Sequence, residues 1–392
     1  MVFVAPHSPG RYVCMSSQAG DTKMTTHVTQ YVGLDVHKDT IAIAVADATN
    51  REQPTFIGTT QYSPKQIRKA LRNFGTPPQM RLCYEAGPCG YGLARELLTL
   101  GFECEVIAPS RVARRPADKI KTDRRDALLL ARLHRAGELT PVLIPDPNDE
   151  AVRDLSRARE DAVNARRRAR QQLTAFLLRH GRRYTGGRAW TKRYQLYLST
   201  LKFDNAIHHT VFAEARLALT AADNRVERTN QALCDHVQNW RWIDTVRGLM
   251  TLRGVDLITA VTLVAELGDF RRFVRPGALM SYVGLVPSEH SSGTHVRRGR
   301  ITKTGNQHAR RIMIESAWNY RFPARIGETI QPRLVNQPQD IIDIAWKAQL
   351  RLCKRFQQLK ARGVHHNKVC TAIARELLGF VWDIGIRTSP TD

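Results

Sequence analysis

The sequence predicts an α/β domain built on a mixed sheet, followed by a long helical arm and a mainly α C-terminal region. Three observations carry this expectation. Two β-type runs, Tyr31 to Val36 and Ile41 to Asp47, flank the polar tetrapeptide His37 to Thr40, which is a hairpin signature. Strands and helices then alternate as far as Pro141, so parallel strands should join that hairpin in one sheet covered by helices. Beyond about Asn148 the chain changes to long stretches of helix formers with Ala-rich and Arg-rich faces.

In order, a third strand is expected over Thr55 to Gln61, then a helix from Pro64 to Asn73 that ends near Gly75, ahead of Pro77 and Pro78. The strand Met80 to Tyr84 runs into Glu85. The helix Tyr91 to Leu100 stops at Gly101, and the strand Glu103 to Ala108 leads into a basic loop with Arg111, Arg114, Arg115, Lys119 and Lys121. Thr122 is a good N-cap for a helix that carries Asp123 and Asp126 and continues through Leu128, Leu129, Leu130 and Leu133. Pro141, Pro145 and Pro147 mark a boundary. Two helical stretches, about Asn148 to Arg179 and about Asp204 to Trp240, read as a helical hairpin or coiled-coil arm that dimerises or lies along nucleic acid.

After Trp242, the segment Thr251-Leu-Arg-Gly-Val-Asp256 and the helix Leu257 to Leu267 make a Gly-centred helical turn that can face backbone amides to a phosphate. Tyr282 to Asn306 is a long stretch rich in Ser, Thr, Gly and basic residues, and loops of that length in a compact domain are usually functional. Helices follow over Gln307 to Tyr320, Ile341 to Arg362 and Asn367 to Gly385. The expected divisions are a loosely ordered tail over residues 1–30, an α/β domain over 31–146, the arm over 147–245 and a C-terminal domain over 246–392.

Sixty Lys and Arg against 36 Asp and Glu give a formal charge of +24, spread along all 392 residues. Such a surface repels itself unless a polyanion neutralises it, which points to nucleic acid ahead of an anionic membrane. No apolar run is long enough to span a bilayer. The seven cysteines are scattered singly, with no C-x-x-C pair, as suits a reducing cytosol. The first 23 residues lack the apolar core of a secretory signal, and Met15 and Met24 are alternative starts.

The chemistry begins with Asp123 and Asp126. Acids three residues apart share one face of a helix and raise each other's energy unless a cation sits between them. Solvated first-turn acids would be the simpler account of that pair alone. Asp35, in an apolar first strand, and Glu85, at the end of the fourth, change the balance. With those two strands side by side, all four acids meet at one sheet edge, where two Mg²⁺ ions about 3.5–4 Å apart would make the cluster favourable and serve phosphodiester chemistry.

The segments Tyr31-Val-Gly-Leu-Asp35-Val-His, Tyr84-Glu85-Ala-Gly-Pro-Cys-Gly-Tyr-Gly, Lys121-Thr-Asp123-Arg-Arg-Asp126-Ala and Gly284-Leu-Val-Pro-Ser-Glu-His-Ser-Ser292-Gly resemble the signature segments of the IS-one-ten (DEDD) family of insertion-sequence transposases. The likeness runs from residue 31 over nearly the whole chain. It implies a RuvC-like, RNase H-type N-terminal domain whose metal-binding tetrad is Asp35, Glu85, Asp123 and Asp126, and a C-terminal transposase domain in which Ser292 is the nucleophile. It further implies excision and insertion through a covalent phosphoserine, with tetrad and serine brought together between subunits, element ends and target as double-stranded DNA, a guiding bridge RNA encoded by the element, at least a dimer, and a nucleoid-associated place in a prokaryotic cytoplasm. Gly254 matches the family's helix-hairpin-helix turn, whereas Asp256 stands where a second Gly is common.

A serine hydroxyl needs a base, a metal or positive charge to become a nucleophile. Arg297, Arg298, Arg300 and Lys303 follow Ser292 and suit the charge of a pentacovalent phosphate. His290 is a candidate base, and composition alone does not separate Ser292 from Ser291. Arg310 and Arg311 stand in a helix N-terminal turn, where cations are unfavourable unless they meet phosphate. Two other readings fit the residues. One keeps the tetrad but hydrolyses DNA with activated water, as a RuvC-like nuclease. The other is a non-enzymatic, basic nucleic-acid-binding protein whose acids are structural.

Overall fold

A computed structural model describes residues 27–113 and 121–391. The expected tail up to Thr26, and Arg114, Arg115 and Lys119 of the basic loop, lie outside the described residues. The chain forms two compact units that divide between Ile144 and Pro145.

The first unit holds β1 (Gln30–Val36), β2 (Thr40–Asp47), β3 (Thr55–Gln61), α1 (Pro64–Leu71), β4 (Met80–Glu85), α2 (Gly92–Thr99), β5 (Glu103–Ile107) and α3 (Asp123–Arg135). Its five strands form one sheet in the order β3-β2-β1-β4-β5. β1 is antiparallel to β2 on one side and parallel to β4 on the other, so the hairpin half and the α/β half meet at this strand. Chain Thr140 to Val142 bonds to the outer side of β5 (Val142 N to Val106 O, 2.8 Å) and covers that edge.

The period-two alternation of β2 explains why helices cover both faces. Ile41, Ile43 and Val45 point into a core with Val32, Leu34, Ile67, Leu71, Leu82, Tyr84, Leu93 and Leu97. Ala42, Ala44 and Ala46 point the other way and pack with Ala127 and Ala131 of α3. Small residues on that face let the α3 backbone lie close to the sheet, closest at Gly33 of β1. A Cβ on Gly33 would stand 2.3 Å from the Ala127 carbonyl oxygen and 2.4 Å from the Ala131 nitrogen.

The second unit contains α4 (Pro147–Arg179), α5 (Lys192–Thr200), α6 (Ala206–Val237), α7 (Ile243–Leu249), α8 (Leu257–Leu267), α9 (Pro276–Val283), β6 (Pro287–Glu289), β7 (Arg298–Ile301), α10 (Gln307–Ala317), α11 (Gln331–Leu334), α12 (Gln339–Ala361) and α13 (His366–Thr388). α4 and α6 run antiparallel as a helical hairpin. Arg159 donates to Asn230, Arg170 to Asp223, and Phe176 stacks on Phe212. Phe212, Leu219, Val226 and Leu233 are buried at intervals of seven, the stripe of a long helix facing one partner. The remaining helices enclose a core in which α8 is buried along almost its whole length.

One expectation changes here. Tyr282 to Asn306 is not an open loop, because it includes the two-stranded β6–β7 ribbon. The segment between α7 and α8 is a helical turn in which Gly254 packs on protein while Asp256 is exposed. Gly254 has φ +80°, and a Cβ there would come within 2.6 Å of the Ser316 carbonyl oxygen. Asp256 itself accepts from Thr259 N at 2.8 Å, taking a first-turn amide of α8 that a phosphate would otherwise use.

Candidate functional site

The register Leu34 opposite Tyr84 brings Asp35 and Glu85 side by side at the ends of neighbouring parallel strands. Gly33 lies against α3, so by the same alternation Asp35 also lies on the α3 side of the sheet. Thr122 fixes where α3 begins by accepting from Arg125 N at 3.3 Å, which puts Asp123 and Asp126 in its first turn, where carboxylates are favoured.

Asp35 and Asp123 meet through His37. Its Nε2 lies 3.3 Å from Asp35 Oδ2 and 3.3 Å from Asp123 Oδ1. One ligand atom from each of these three residues falls within a set no more than 4.8 Å apart, close enough for one divalent ion. Asp126 is nearby with its side chain 12% exposed, and Lys121 Nζ is 3.8 Å from its Oδ2. Glu85, half-buried at the end of β4, is outside the three-atom set. Burial holds the Asp35 carboxyl above the usual range; His37 opposes this, and the Asp126 and Asp123 carboxylates push it up further. A site that penalises its own negative charge in this way fits a cation. His37 is the residue that sequence reasoning missed, although its spacing of two from Asp35 is the signal for one strand face.

Ser292 sits at the tip of the β6–β7 ribbon, in a tight turn closed by Ser292 N to His295 O and His295 N to Ser292 O, both 3.1 Å. Gly293 supplies the positive φ of +58° in that turn. The two adjacent serines differ. The Ser291 hydroxyl donates to Glu289 Oε1 at 2.8 Å and accepts from Arg297 N at 3.2 Å. The exposed Ser292 hydroxyl makes no hydrogen bond among the described residues. Ser288 packs its hydroxyl against Gly299, and His290 is exposed, with its backbone N bonded to Arg297 O at 2.9 Å.

The cations fall into two sets. Arg297, Arg298, Arg300 and Lys303 are exposed on or beside the ribbon. Arg310 and Arg311 are engaged by protein. Arg310 Nη1 donates to the carbonyls of Val283 (2.8 Å) and Thr304 (3.1 Å), clamping the base of the ribbon. Arg311 pairs with Glu160 at 3.0 Å and with Glu315 at 2.9 Å. Among the described residues, no helix is long and apolar enough to cross a membrane.

The DEDD transposase model of IS110, described as "Transposase", matches residues 32–181, and a second model, "Transposase IS116/IS110/IS902 family", matches residues 246–328. The chain is 46% identical over 355 residues to "Putative transposase y4qE" of Sinorhizobium fredii, covering 90% of this chain and 88% of that protein. It is 32% identical over 338 residues to "Transposase for insertion sequence element IS1533" of Leptospira borgpetersenii, covering 85% of this chain and 97% of that protein. "Transposase for insertion sequence element IS1328" of Yersinia enterocolitica is 25% identical over 304 residues. With both family models in order along one sequence, and relatives of 46% and 32% identity matched over 90% and 85% of this chain, the chain belongs to the IS110 family of insertion-sequence transposases and is a transposase enzyme.

Proposed function

We propose that this transposase excises and inserts its element by metal-assisted phosphoryl transfer, with Ser292 as nucleophile and Asp35, Glu85, Asp123 and Asp126 as the acid tetrad. The observation that supports it most is the meeting of Asp35 and Asp123 at one donor site, on the end of the central strand, inside the segment matched by the DEDD model. Two Mg²⁺ ions held by the tetrad would supply Lewis acidity toward the phosphoryl and leaving oxygens.

The residues' own part begins at the ribbon. Ser292 gives up its hydroxyl proton, for which His290 is the candidate acceptor. Its oxygen bonds to phosphorus, the bond from phosphorus to one deoxyribose oxygen breaks, and that oxygen takes up the proton from His290 and leaves as a sugar hydroxyl. A different sugar hydroxyl then attacks the phosphoserine, rejoins DNA and frees the serine. One ester replaces another at each step, so no external energy source is required. Arg297, Arg298, Arg300 and Lys303 offset the extra charge on phosphorus and hold the DNA backbone. The free hydroxyl of Ser292, beside the engaged one of Ser291, supports this choice of serine.

The working assembly in this reading is at least a dimer, with the α4–α6 hairpin as a coiled-coil arm between protomers and an element-encoded RNA selecting the DNA. Divisions at 31–146, 147–245 and 246–392 express this division of labour. The test is the adduct formed with element-end DNA on a denaturing gel. Wild-type protein and Ser291→Ala should form it, and Ser292→Ala should not. An adduct with Ser292→Ala overturns the serine assignment, and free 5′-phosphate ends with no adduct favour hydrolysis by activated water. Full strand exchange by Asp123→Asn would remove the tetrad from the chemistry.

A further inference from the structure

We propose that His37 is a nitrogen ligand of the metal centre, binding with Asp35 and Asp123 and biasing it toward first-row transition-metal ions such as Mn²⁺ over Mg²⁺. The proposal rests on the tetrad reading and adds to it a donor of a different chemical kind. Its Nε2 is equidistant, at 3.3 Å, from one oxygen of each aspartate, and all three donor atoms belong to the 4.8 Å set.

Packing does not force His37 there, since its side chain is 50% exposed. Its mount is nevertheless fixed. β1 and β2 pair up to Val36 opposite Ile41, and His37 N donates to Thr40 O at 2.9 Å, closing the hairpin immediately beyond. Asp39, two residues further along the turn, is tied in as well, through Tyr62 N to Asp39 O at 2.9 Å. The imidazole therefore projects from a fixed register, two residues after Asp35, toward the first turn of α3. An imidazole suits the later first-row metals best and Mn²⁺ least among that series, whereas Mg²⁺ favours oxygen donors and retains water. A centre with one nitrogen and two or more carboxylates should separate these ions more than four carboxylates would.

The experiment is electron spin-echo envelope modulation on Mn²⁺ bound to the full-length protein, with Mn²⁺ and Mg²⁺ dissociation constants measured alongside. Wild-type protein should show nitrogen modulation from a directly bound imidazole. His37→Ala should lose that modulation and bind Mn²⁺ at least about tenfold more weakly, since losing even an orienting partner of a metal ligand costs about 10–100-fold. Its Mg²⁺ affinity should change by less than about twofold, as oxygen donors suffice for that ion. Bound Mn²⁺ without nitrogen modulation in wild type, or with modulation persisting in His37→Ala, overturns the proposal while leaving the tetrad intact. In that case His37 only bridges two carboxylates. Failure of the underlying reading looks different, because Asp35→Asn and Asp123→Asn would then bind Mn²⁺ as tightly as wild type.

Discussion

Replacing Gly33 with alanine tests what sets the spacing of the proposed metal centre. The backbone of Gly33 is ordinary strand, so the effect of a methyl group there is one of packing. The new Cβ would lie 2.3 Å from the Ala127 oxygen, 2.4 Å from the Ala131 nitrogen and 2.9 Å from the Leu130 Cβ, where ordinary contact begins near 3.4 Å. Two of these three neighbours are helix backbone, which no rotamer change can move aside. α3 must therefore retreat by about 1 Å, and overpacking of this kind costs roughly 1–3 kcal/mol of stability. The site should suffer more than the fold. Asp123 and Asp126 ride on α3, and metal–oxygen distances tolerate only about 0.2 Å of error. Urea unfolding and Mn²⁺ binding measured on one preparation should show the stability loss together with at least about a tenfold loss of metal affinity, equivalent to about 1.4 kcal/mol. A Gly33→Ala protein within about 0.5 kcal/mol of wild type and with unchanged Mn²⁺ affinity would refute the idea that close α3–β1 contact builds the centre.

Three further outcomes follow from other parts of the chain. Arg298→Gln with Arg300→Gln should make the slope of log affinity for DNA against log salt shallower by about 2, as expected for two lost phosphate contacts; an unchanged slope removes them from the interface. Arg310→Met leaves the carbonyls of Val283 and Thr304 without their donor, at a cost of about 1–3 kcal/mol. Hydrogen exchange at the Thr302 and Lys303 amides should accelerate, and adduct yield should fall more than DNA affinity. Glu266 is buried, which would raise its pKa, yet the guanidinium of Arg157 at 2.7 Å and the amide of Asn306 at 2.7 Å outweigh burial and hold it below the usual carboxylate range. A depressed carboxyl stabilises the fold above its unfolded pKa and loses that contribution as pH falls through its folded value. The acid limb of unfolding should therefore flatten in Glu266→Gln. At neutral pH that variant should lose about 1.5–3 kcal/mol, less than a fully buried pair because Arg157 reaches solvent.

Much of the first unit was legible because its residues repeat with clean periods. Ile41, Ile43 and Val45 against Ala42, Ala44 and Ala46 announce a strand buried on both faces, and the order of elements is enough to set β1 beside β4. The acids could be located from the same order, since Asp35 and Glu85 end those strands. Charge pairing between distant residues was less accessible. Nothing in Asn306-Gln-His-Ala-Arg310-Arg311 indicates that both arginines are engaged by residues as far away as Val283 and Glu160, so cations at a helix start read as phosphate contacts. The ribbon was hidden for a different reason. Its strands span three and four residues and are almost all polar, so neither alternation nor β-propensity marks them. His37 escaped because a polar residue in a hairpin turn needs no special explanation until its position over α3 is known.

The β7 strand has a parity. Ile301 packs against the core of the second unit, whereas Arg298, Gly299 and Arg300 are exposed, with Gly299 beside the Ser288 hydroxyl. Adding or removing one residue between Arg298 and Ile301 would put the two on the same face, so that either the Arg298 guanidinium turns toward the protein or the isoleucine meets water, while leaving the composition almost unchanged. Length in this short strand is therefore constrained more tightly than identity. Point changes at Arg298 or Arg300 alter one side chain each, but a single-codon insertion or deletion breaks the alternation and shifts the Ser292 turn against its base.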